Sequence, residues 1–338
     1  STQGYSSAAS DVYKRQERRN IMGYKTMDAN EAVSRVSYKF TEIAGIYPIT
    51  PASPMAEKVD VLASKGEINF WGNKVKVIEM ESEKGAIATV HGALQAGVLA
   101  TTYTASQGLL LMIPSIYKMA GEMLPGVIHV AARSLSTHSL SIFGDHQDIY
   151  AVRQTGACML SSSSVEEAYH MAMVSHLASI KSSLPFINFF DGFRTSHEID
   201  KVKEIDLSKL ETLIDKKALR KFRDNGMISG ATTRGTAENE DVYFQHTESR
   251  NGYYTKAIDN VIYYMDKVNK ICKTDYKPFN YYGDKSSDAV IIAMGSVCEC
   301  IKEVVDDLNK KGKKVGLVTV HLYLSLIHIS EPTRPEPI

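Results

Sequence analysis

The feature that most constrains this chain is a regular alternation of short apolar runs with helix-like segments. Continuous runs rich in Val, Ile and Phe are typical of strands that are buried on both faces. Between them stand helix-start signals, such as Asp28 with Glu31 and Ser164 with Glu167, each spaced as a capping box. Because parallel strands need crossover helices, the alternation predicts an α/β fold with a doubly wound parallel sheet.

The individual elements follow from the same patterns. The apolar runs predict strands over residues 44–50, 75–80, 98–105, 126–132, 157–162 and 185–190. The helices are predicted to run from Asp28 to before Gly45, from an N-cap at Ser53 to about Ser64, from about Glu83 to Gln95, from Gln107 to Glu122, around Gln147 to Arg153, and onward from Ser164.

The pattern divides the chain into two α/β units. From about residue 196 to residue 287 the alternation gives way to charged helix-like pieces and a Tyr-rich polar stretch, which we interpret as an excursion and linker. Residues 288–323 then contain strand, Gly-Ser turn, amphipathic helix and strand, a single βαβ unit. One such unit cannot cover its own sheet, so we expect a first domain over 22–277 and the truncated start of a second α/β domain over 278–323.

The two ends differ from the rest of the chain. Residues 1–21 and 324–338 join abruptly to strongly patterned sequence, and the stretches 1–16 and 325–338 within them carry neither helical nor strand periodicity. They resemble translated sequencing-adapter read-through. We therefore expect a non-native leader and a non-native tail, with a natural start near Met22 and a natural chain that continues past Tyr323.

Composition excludes several functional classes. Lys plus Arg number 39 and Asp plus Glu number 39, so the net charge favours neither nucleic acid nor an anionic membrane surface. No run reaches the roughly 18 consecutive apolar residues of a membrane span. The four cysteines form no C-x-x-C pair, which predicts free thiols in a reducing cytoplasm rather than a disulfide framework, a zinc site or a cluster.

The chemistry is expected at the carboxyl ends of the parallel strands, where loops converge and helix N-termini point outward. Polar residues that the pattern brings to this edge are Thr50, Glu81, Glu83, Thr104, Ser106, Gln107, Arg133, Asp191 and Arg194. Such a set suits a small anionic substrate whose carboxylate an arginine can bind. Ordinary roles remain open, because the two glutamates could complement a helix dipole, Arg133 could be solvated or ion-paired, and Thr50 could only form a turn.

Six segments along this edge and beyond it form a recognisable set. They read "YPITPASPMAE", "MESEKGAIATVHGALQAG", "TYTASQGLLLMIPSIYKMAGEMLPGVIHVAAR", "SIFGDHQDIYAVRQTG", "PFINFFDGFRTSHE" and "AENEDVYFQ". Together they resemble the N-terminal portion of the pyruvate:ferredoxin (flavodoxin) oxidoreductases, within the 2-oxoacid oxidoreductase family, continuously from about Met22 to Tyr323. The resemblance implies a pyrimidine-binding thiamine diphosphate domain followed by the beginning of a transketolase C-terminal-like domain.

The resemblance also implies residue roles. Glu83 matches the family's activating glutamate, which bonds to a nitrogen of the aminopyrimidine ring and favours the tautomer that removes the proton of the thiazolium carbon. Thr50 and Arg133 match its contacts to the substrate carboxylate. Thr104, Ser106 and Gln107 are expected to line the same cofactor cavity without an assigned role.

The implied parent reaction is the oxidative decarboxylation of pyruvate with coenzyme A to acetyl-coenzyme A and CO2, with electrons passed through iron-sulfur clusters to ferredoxin or flavodoxin. A homodimer is implied as well. The G-D-G motif that would hold Mg2+ on the diphosphate is absent, as are cluster-ligating cysteines, so we predict no metal site here and expect Mg2+ and [4Fe-4S] clusters only in the rest of the parent. The chain alone is expected to be inactive.

Two alternatives stay open. The chain could come from a sister 2-oxoacid:ferredoxin oxidoreductase with a bulkier substrate, or it could be a non-catalytic α/β assembly module. The second alternative predicts that Glu83 is exposed to solvent and that Arg133 points away from it.

Overall fold

A computed structural model of the protein describes residues 23–229 and 233–324. The leader predicted over residues 1–21 and the tail predicted from residue 324, apart from Leu324 itself, lie outside the described residues. Within them the strands are β1 (Tyr24–Met27), β2 (Ile43–Ile46), β3 (Lys76–Glu79), β4 (Ala100–Thr104), β5 (Val127–Ala132), β6 (Cys158–Ser162), β7 (Phe186–Asp191), β8 (Asp200–Lys203), β9 (Phe279–Gly283), β10 (Ala289–Ala293), β11 (Val315–Val320) and β12 (Leu322–Leu324).

Helices connect most of these strands. They are α1 (Ala29–Phe40), α2 (Ser53–Ser64), α3 (Glu83–Gln95), α4 (Ser106–Leu111), α5 (Ile113–Gly121), α6 (Gln147–Val152), α7 (Val165–Ser182), α8 (Ser208–Glu211), α9 (Lys216–Asp224), α10 (Glu240–Ser249), α11 (Asn251–Cys272) and α12 (Val297–Lys310). In the part of the chain that the structure describes, none of them has the length and apolar character that crossing a bilayer requires.

A seven-stranded sheet in the order β12-β6-β7-β5-β4-β2-β3 forms the centre of the molecule. Every pair in it is parallel except β12 with β6, which confirms the predicted parallel sheet. Strands β4, β5 and β7 are buried at every position, so helices cover both faces, as a doubly wound fold requires. The chain passes from β2 outward to β3 and then back across β2 to β4, which places a topological switch point at the carboxyl ends of β2 and β4.

Two predicted helices differ in detail. The helix expected from Gln107 to Glu122 is two helices, α4 and α5, separated at Met112. Pro114 lies in the first turn of α5 and lacks the amide hydrogen that a continuous helix would use. Ser53 is not an N-cap as predicted, because α2 starts at Ser53 and the capping position is Ala52, whose side chain makes no cap hydrogen bond.

The stretch from residue 196 to residue 287, interpreted as an excursion and linker, contributes to the core of the first unit. Strand β8 pairs antiparallel with β1, and the long helix α11 packs against α7. The buried residues of α11 are Ala257, Val261, Tyr264, Met265, Val268 and Cys272. Their spacing of three and four residues is that of one helix face, so the pattern was present in the sequence among its charged neighbours.

The second unit contains the predicted βαβ arrangement. Strands β10 and β11 are parallel and are joined by the amphipathic helix α12. Strand β9, which lies in the Tyr-rich stretch and was not predicted, pairs antiparallel with β11. After β11 the chain turns at His321 and adds β12 to the edge of the central sheet beside β6.

Candidate active site

The candidate site lies at the carboxyl ends of β2, β4 and β5, at the switch point of the central sheet. Of the residues predicted for it from the sequence, Thr50, Glu83, Thr104, Ser106, Gln107 and Arg133 lie in one connected group. Glu81 and Arg194, which the sequence also placed at this edge, are exposed to solvent. Asp191 takes part in a separate contact described below.

Glu83 is the first residue of α3, and its side chain faces inward. Ser82 caps the helix by accepting a hydrogen bond from the amide of Gly85 at 3.3 Å, which fixes the direction of the first turn. Glu83 is 7% exposed, whereas Glu79 and Glu81, which precede it at alternate positions, are exposed. The carboxylate of Glu83 makes no hydrogen bond to any residue that the structure describes.

Gly108 leaves the space that this carboxylate occupies. A Cβ atom on Gly108 would lie 2.8 Å from Oε1 of Glu83 and 2.6 Å from Oγ1 of Thr104, so both oxygens face the same point. The Thr104 hydroxyl is buried and has no hydrogen-bond partner among the described residues. Because a buried polar group without a partner is costly, the unpartnered Thr104 hydroxyl so close to the Glu83 carboxylate indicates a site for a polar ligand.

Arg133 follows β5 directly and is 6% exposed. Its Nη1 donates to the main-chain oxygen of Thr50 at 2.6 Å and its Nη2 donates to Oε1 of Gln107 at 3.2 Å, while its buried Nε has no partner in the described chain. Burial lowers the pKa of Arg133, and the negative charges of Asp148 and Glu83 oppose that effect. An arginine remains charged at neutral pH in such a site, so it can bind an anion.

Thr50 therefore enters the site in two ways. Its carbonyl oxygen orients Arg133, as just described, and its side chain is exposed at the mouth of the site. The contact through the main chain was not foreseen from the sequence, which assigned Thr50 only a hydroxyl role.

Asp148, in α6, is a part of the site that sequence reasoning missed. It is fully buried, and its Oδ2 accepts hydrogen bonds from the amides of Ser106 at 2.8 Å and Arg133 at 3.0 Å. Burial raises the pKa of Asp148 to about 6, against the lowering effect of these hydrogen bonds. Through these two hydrogen bonds the carboxyl group joins the segments that follow β4 and β5.

A second polar cluster joins the two units beside the site. Oδ1 of Asp191 lies 2.6 Å from Nε2 of His146, and Oδ2 of Asp191 accepts hydrogen bonds from the hydroxyl of Ser296 and, at 2.9 Å, from its amide. Burial alone would lower the pKa of His146. The hydrogen bond to Asp191 and the negative charge of Asp191 raise this pKa by a larger amount, so the net shift is upward. Burial raises the pKa of Asp191, and its bonds to His146 and Ser296 bring it below the ordinary value. We call this cluster the Asp191 clasp.

No group of three or more His, Cys, Asp or Glu side chains placed to hold a metal ion occurs within residues 23–229 and 233–324. The four cysteines are free, and three of them are buried.

The fold and the buried acid at its switch point are those of an α/β cofactor-binding domain, and comparison with known proteins identifies its kind. Residues 35–266 match the family model described as pyruvate flavodoxin/ferredoxin oxidoreductase, thiamine diphosphate-binding, and residues 287–324 match the one described as pyruvate:ferredoxin oxidoreductase core domain II. The chain belongs to the pyruvate flavodoxin/ferredoxin oxidoreductase family, and its first unit is a thiamine diphosphate-binding domain. The family inferred from the sequence is thereby confirmed.

Particular relatives are similar over most of this chain. The pyruvate-flavodoxin oxidoreductase of Enterobacter agglomerans is 56% identical over 300 residues, which are 88% of this chain and 26% of that protein. The pyruvate:ferredoxin oxidoreductase of Moorella thermoacetica is 51% identical over 303 residues, which are 89% of this chain and 26% of that protein. The chain thus spans about a quarter of the length of these curated relatives.

A solved structure supports the fold. The 2-oxoglutarate:ferredoxin oxidoreductase from Magnetococcus marinus, with 2-oxoglutarate, coenzyme A and succinyl-CoA bound, aligns with a TM-score of 0.67 at 20% identity. The alignment covers 89% of this chain and 54% of that one. At this identity the likeness concerns the fold alone.

Proposed function

We propose that this chain supplies the pyrimidine-binding side of an active site that decarboxylates pyruvate oxidatively with thiamine diphosphate. The products are acetyl-coenzyme A and CO2, and the electrons pass to ferredoxin or flavodoxin. The observation that carries the proposal is Glu83, a carboxylate buried at the switch point of a parallel sheet without a partner in the described chain. The names and similarity of the relatives support pyruvate as the substrate.

The residues present fit the cofactor. The missing side chain of Gly108 leaves room for Glu83 and Thr104 to lie side by side, and these two residues would hold the aminopyrimidine ring. When bound, thiamine diphosphate supplies an electron sink for decarboxylation. The part of Glu83 is to hold a proton at a carboxylate oxygen against a ring nitrogen, which a buried acid without a competing protein donor can do.

The substrate carboxylate is assigned to Arg133 and Thr50. Arg133 is held on two sides, by the Thr50 carbonyl oxygen and by Gln107, so its direction is fixed before substrate arrives. The exposed Thr50 side chain adds a hydroxyl donor at the same mouth. A fixed arginine and a hydroxyl together suit a small 2-oxoacid.

The remaining assignments concern the whole enzyme. We place the first domain at residues 22–277 and the start of the second at residues 278–323. Mg2+, the [4Fe-4S] clusters and the sites for coenzyme A and ferredoxin or flavodoxin are assigned to other parts of the enzyme, which we expect to be a cytoplasmic homodimer. The balanced charge of the chain supports the absence of a nucleic-acid or membrane partner.

The alternatives are weaker. A non-catalytic assembly module would not need Glu83 and Arg133 buried beside each other, and their burial supports a catalytic role. A sister enzyme for a bulkier 2-oxoacid shares the site chemistry, but the most similar relatives named above act, by their names, on pyruvate.

The test is Glu83→Gln in the full-length enzyme. Glutamine keeps the size of the side chain and loses the carboxylate, so pyruvate-dependent reduction of ferredoxin should fall on the order of 10²-fold or more, the range typical of a lost general acid or base. The matched control is Glu81→Gln, which changes an exposed acid two residues earlier and should leave activity near that of the wild type.

The proposal is contradicted if Glu83→Gln keeps most of the wild-type kcat, or if both variants lose activity equally. Thermal unfolding of each variant establishes that any loss is not a loss of fold.

A further inference from the structure

The amides of two active-site loops share one buried acceptor. The first loop runs from the end of β4 into the first turn of α4, where Ser106 and Gln107 lie, and the second, after β5, begins with Arg133. Oδ2 of Asp148 accepts hydrogen bonds from the amide of Ser106 at 2.8 Å and from the amide of Arg133 at 3.0 Å. A single oxygen therefore sets the distance between the two loops. Oδ1 accepts from the amide of Ile149 at 2.8 Å, which prevents the carboxylate from rotating away.

A second bond joins the same two loops. The hydroxyl of Ser106 donates to the main-chain oxygen of Ser134 at 2.7 Å. Ser106 has a φ of +47°, which is uncommon for a residue with a side chain and persists only where the surroundings enforce it. The bond from its amide to Asp148 is one of the contacts that enforce it.

We infer that Asp148 is a positioning residue, which holds the main chain at Ser106 and Arg133 so that the guanidinium of Arg133, braced by Gln107, meets the carboxylate of the substrate. The inference rests on the proposed function, because it takes Arg133 to bind pyruvate. Arg133 and Gln107 bond to each other across the two loops, so a change in loop separation changes the direction of both side chains.

An ordinary helix-start role does not account for this geometry. Asp145 already accepts the amide of Gln147 at the start of α6. One oxygen of Asp148 instead points out of α6. It accepts hydrogen bonds from the amide of Ser106, 42 positions earlier in the chain, and from that of Arg133, 15 positions earlier. This fully buried carboxylate therefore holds the two loops together and does not cap the helix.

The experiment is Asp148→Asn in the full-length enzyme. Asparagine has the same shape but only one acceptor oxygen. If that oxygen faces Ser106 and Arg133, the NH2 group is forced against the amide hydrogen of Ile149, and if it faces Ile149, both loop contacts are lost, so the side chain cannot keep the position of the carboxylate. The KM for pyruvate should rise about tenfold or more, as when a 1 Å misplacement weakens a binding contact, while kcat stays within about threefold and the affinity for thiamine diphosphate is unchanged. Asp145→Asn is the control and should leave the KM unchanged.

The outcomes separate the two claims. A KM for Asp148→Asn equal to that of the control, or a fall in kcat or cofactor affinity without a rise in KM, overturns the inference. Arg133→Gln is measured in parallel, and an unchanged KM in that variant overturns the proposed role of Arg133 itself. If Arg133→Gln raises the KM and Asp148→Asn does not, only the positioning role is lost.

If Asp148→Asn does not fold, a second variant still tests the inference. Asp148→Glu keeps the charge and adds one methylene group, which shifts the acceptor oxygen relative to both amides. A severalfold rise in the KM with a normal thermal unfolding curve supports the inference, and a wild-type KM overturns it.

Discussion

At the scale of single residues, Gly108 matters for the atom it lacks. The position where its Cβ would stand is within 3 Å of side-chain atoms of both Glu83 and Thr104. These atoms are Cγ and Oε1 of Glu83 and Oγ1 of Thr104, and no backbone atom is among them, so a methyl group here would force the two buried side chains to shift.

We therefore expect Gly108→Ala to reduce activity on the order of 10²-fold, because the Glu83 carboxylate would be shifted by a fraction of an ångström or more from its working position. The measurement is pyruvate-dependent turnover of the full-length enzyme, together with its thermal unfolding. Stability should change by no more than about 1–3 kcal/mol, the usual cost of one extra carbon in a packed site.

Gly92→Ala is the matched control. Gly92 lies in α3, the helix that begins with Glu83, and nothing lies within 4 Å of the place where its Cβ would stand. Alanine there should stabilise the helix by about 0.5–1 kcal/mol and leave turnover unchanged. Equal turnover in both variants would show that the space at Gly108 is not needed.

Some site residues could be predicted from the sequence and others could not, for a physical reason. Thr50, Glu83 and Arg133 each follow a strand, and all carboxyl ends of parallel strands meet at one edge, so a list of residues after strands is enough to bring them together. Asp148 stands inside a short helix, where an acid ordinarily complements the helix dipole. Its role depends on β4 and β5 being neighbours, which no local pattern encodes.

At the scale of elements, the N-terminus of α12 is held by hydrogen bonds to Asp191, a residue of the first unit. Asp191, at the end of β7, accepts the amide and hydroxyl of Ser296, and His146 bonds to its other oxygen. The Asp191 clasp thus ties the second unit to the edge where the candidate site lies.

The clasp should depend on pH. The pKa of His146 is raised above 6.5 in the folded protein, so its contribution to stability is complete below about pH 6.5 and is lost as the pH rises through the higher folded value. The pKa of Asp191 is lowered below 3.8, so its contribution is present above that value and is lost as the pH falls through the lower one. The clasp is therefore strongest between these limits.

We expect hydrogen exchange of the Ser296 amide, corrected for its intrinsic rate, to be slower at about pH 5.5 than at about pH 8.5, by a factor corresponding to about 1 kcal/mol. His146→Gln should remove most of this dependence, because glutamine does not titrate. His138→Gln, at an exposed histidine, is the control and should keep it. A dependence that survives in His146→Gln would mean that another group controls the contact.

The elements themselves differ in how well their sequence determines them. Helix α7 begins where Ser164 and Glu167 predict it, because capping is local: the Ser164 hydroxyl accepts the amide of Glu167. Helix α11 was missed because its buried positions are interspersed with charged and Tyr residues, and only the partner helix α7 shows which face is inside. Strand β9 (Phe-Asn-Tyr-Tyr-Gly) has no continuous aliphatic run that would predict a strand, and it forms by pairing with the edge of β11.

At the scale of the whole molecule, the proposed function gives this chain one side of a two-sided site. It spans 26% of the length of the relatives from Enterobacter agglomerans and Moorella thermoacetica. The diphosphate of thiamine diphosphate needs a divalent ion, which the proposed function assigns to other parts of the enzyme.

We accordingly expect the chain of 338 residues, titrated calorimetrically with thiamine diphosphate and Mg2+, to show weak binding or none. The full-length enzyme under the same conditions is the control and should bind tightly. Tight, Mg2+-dependent binding by the chain alone would contradict this expectation and would mean that a diphosphate site is present within it.

The order of the strands has one more consequence. The chain leaves the three-stranded sheet after β11 and gives β12 to the central sheet, where Ser161 also donates its amide to the carbonyl of His321 at 2.7 Å. The boundary between the two units in the sequence is therefore not a boundary in the hydrogen bonding. If the chain were cut back at residue 287 to isolate the first unit, β6 would become an outer strand with bare amide and carbonyl groups, a surface on which foreign strands can assemble.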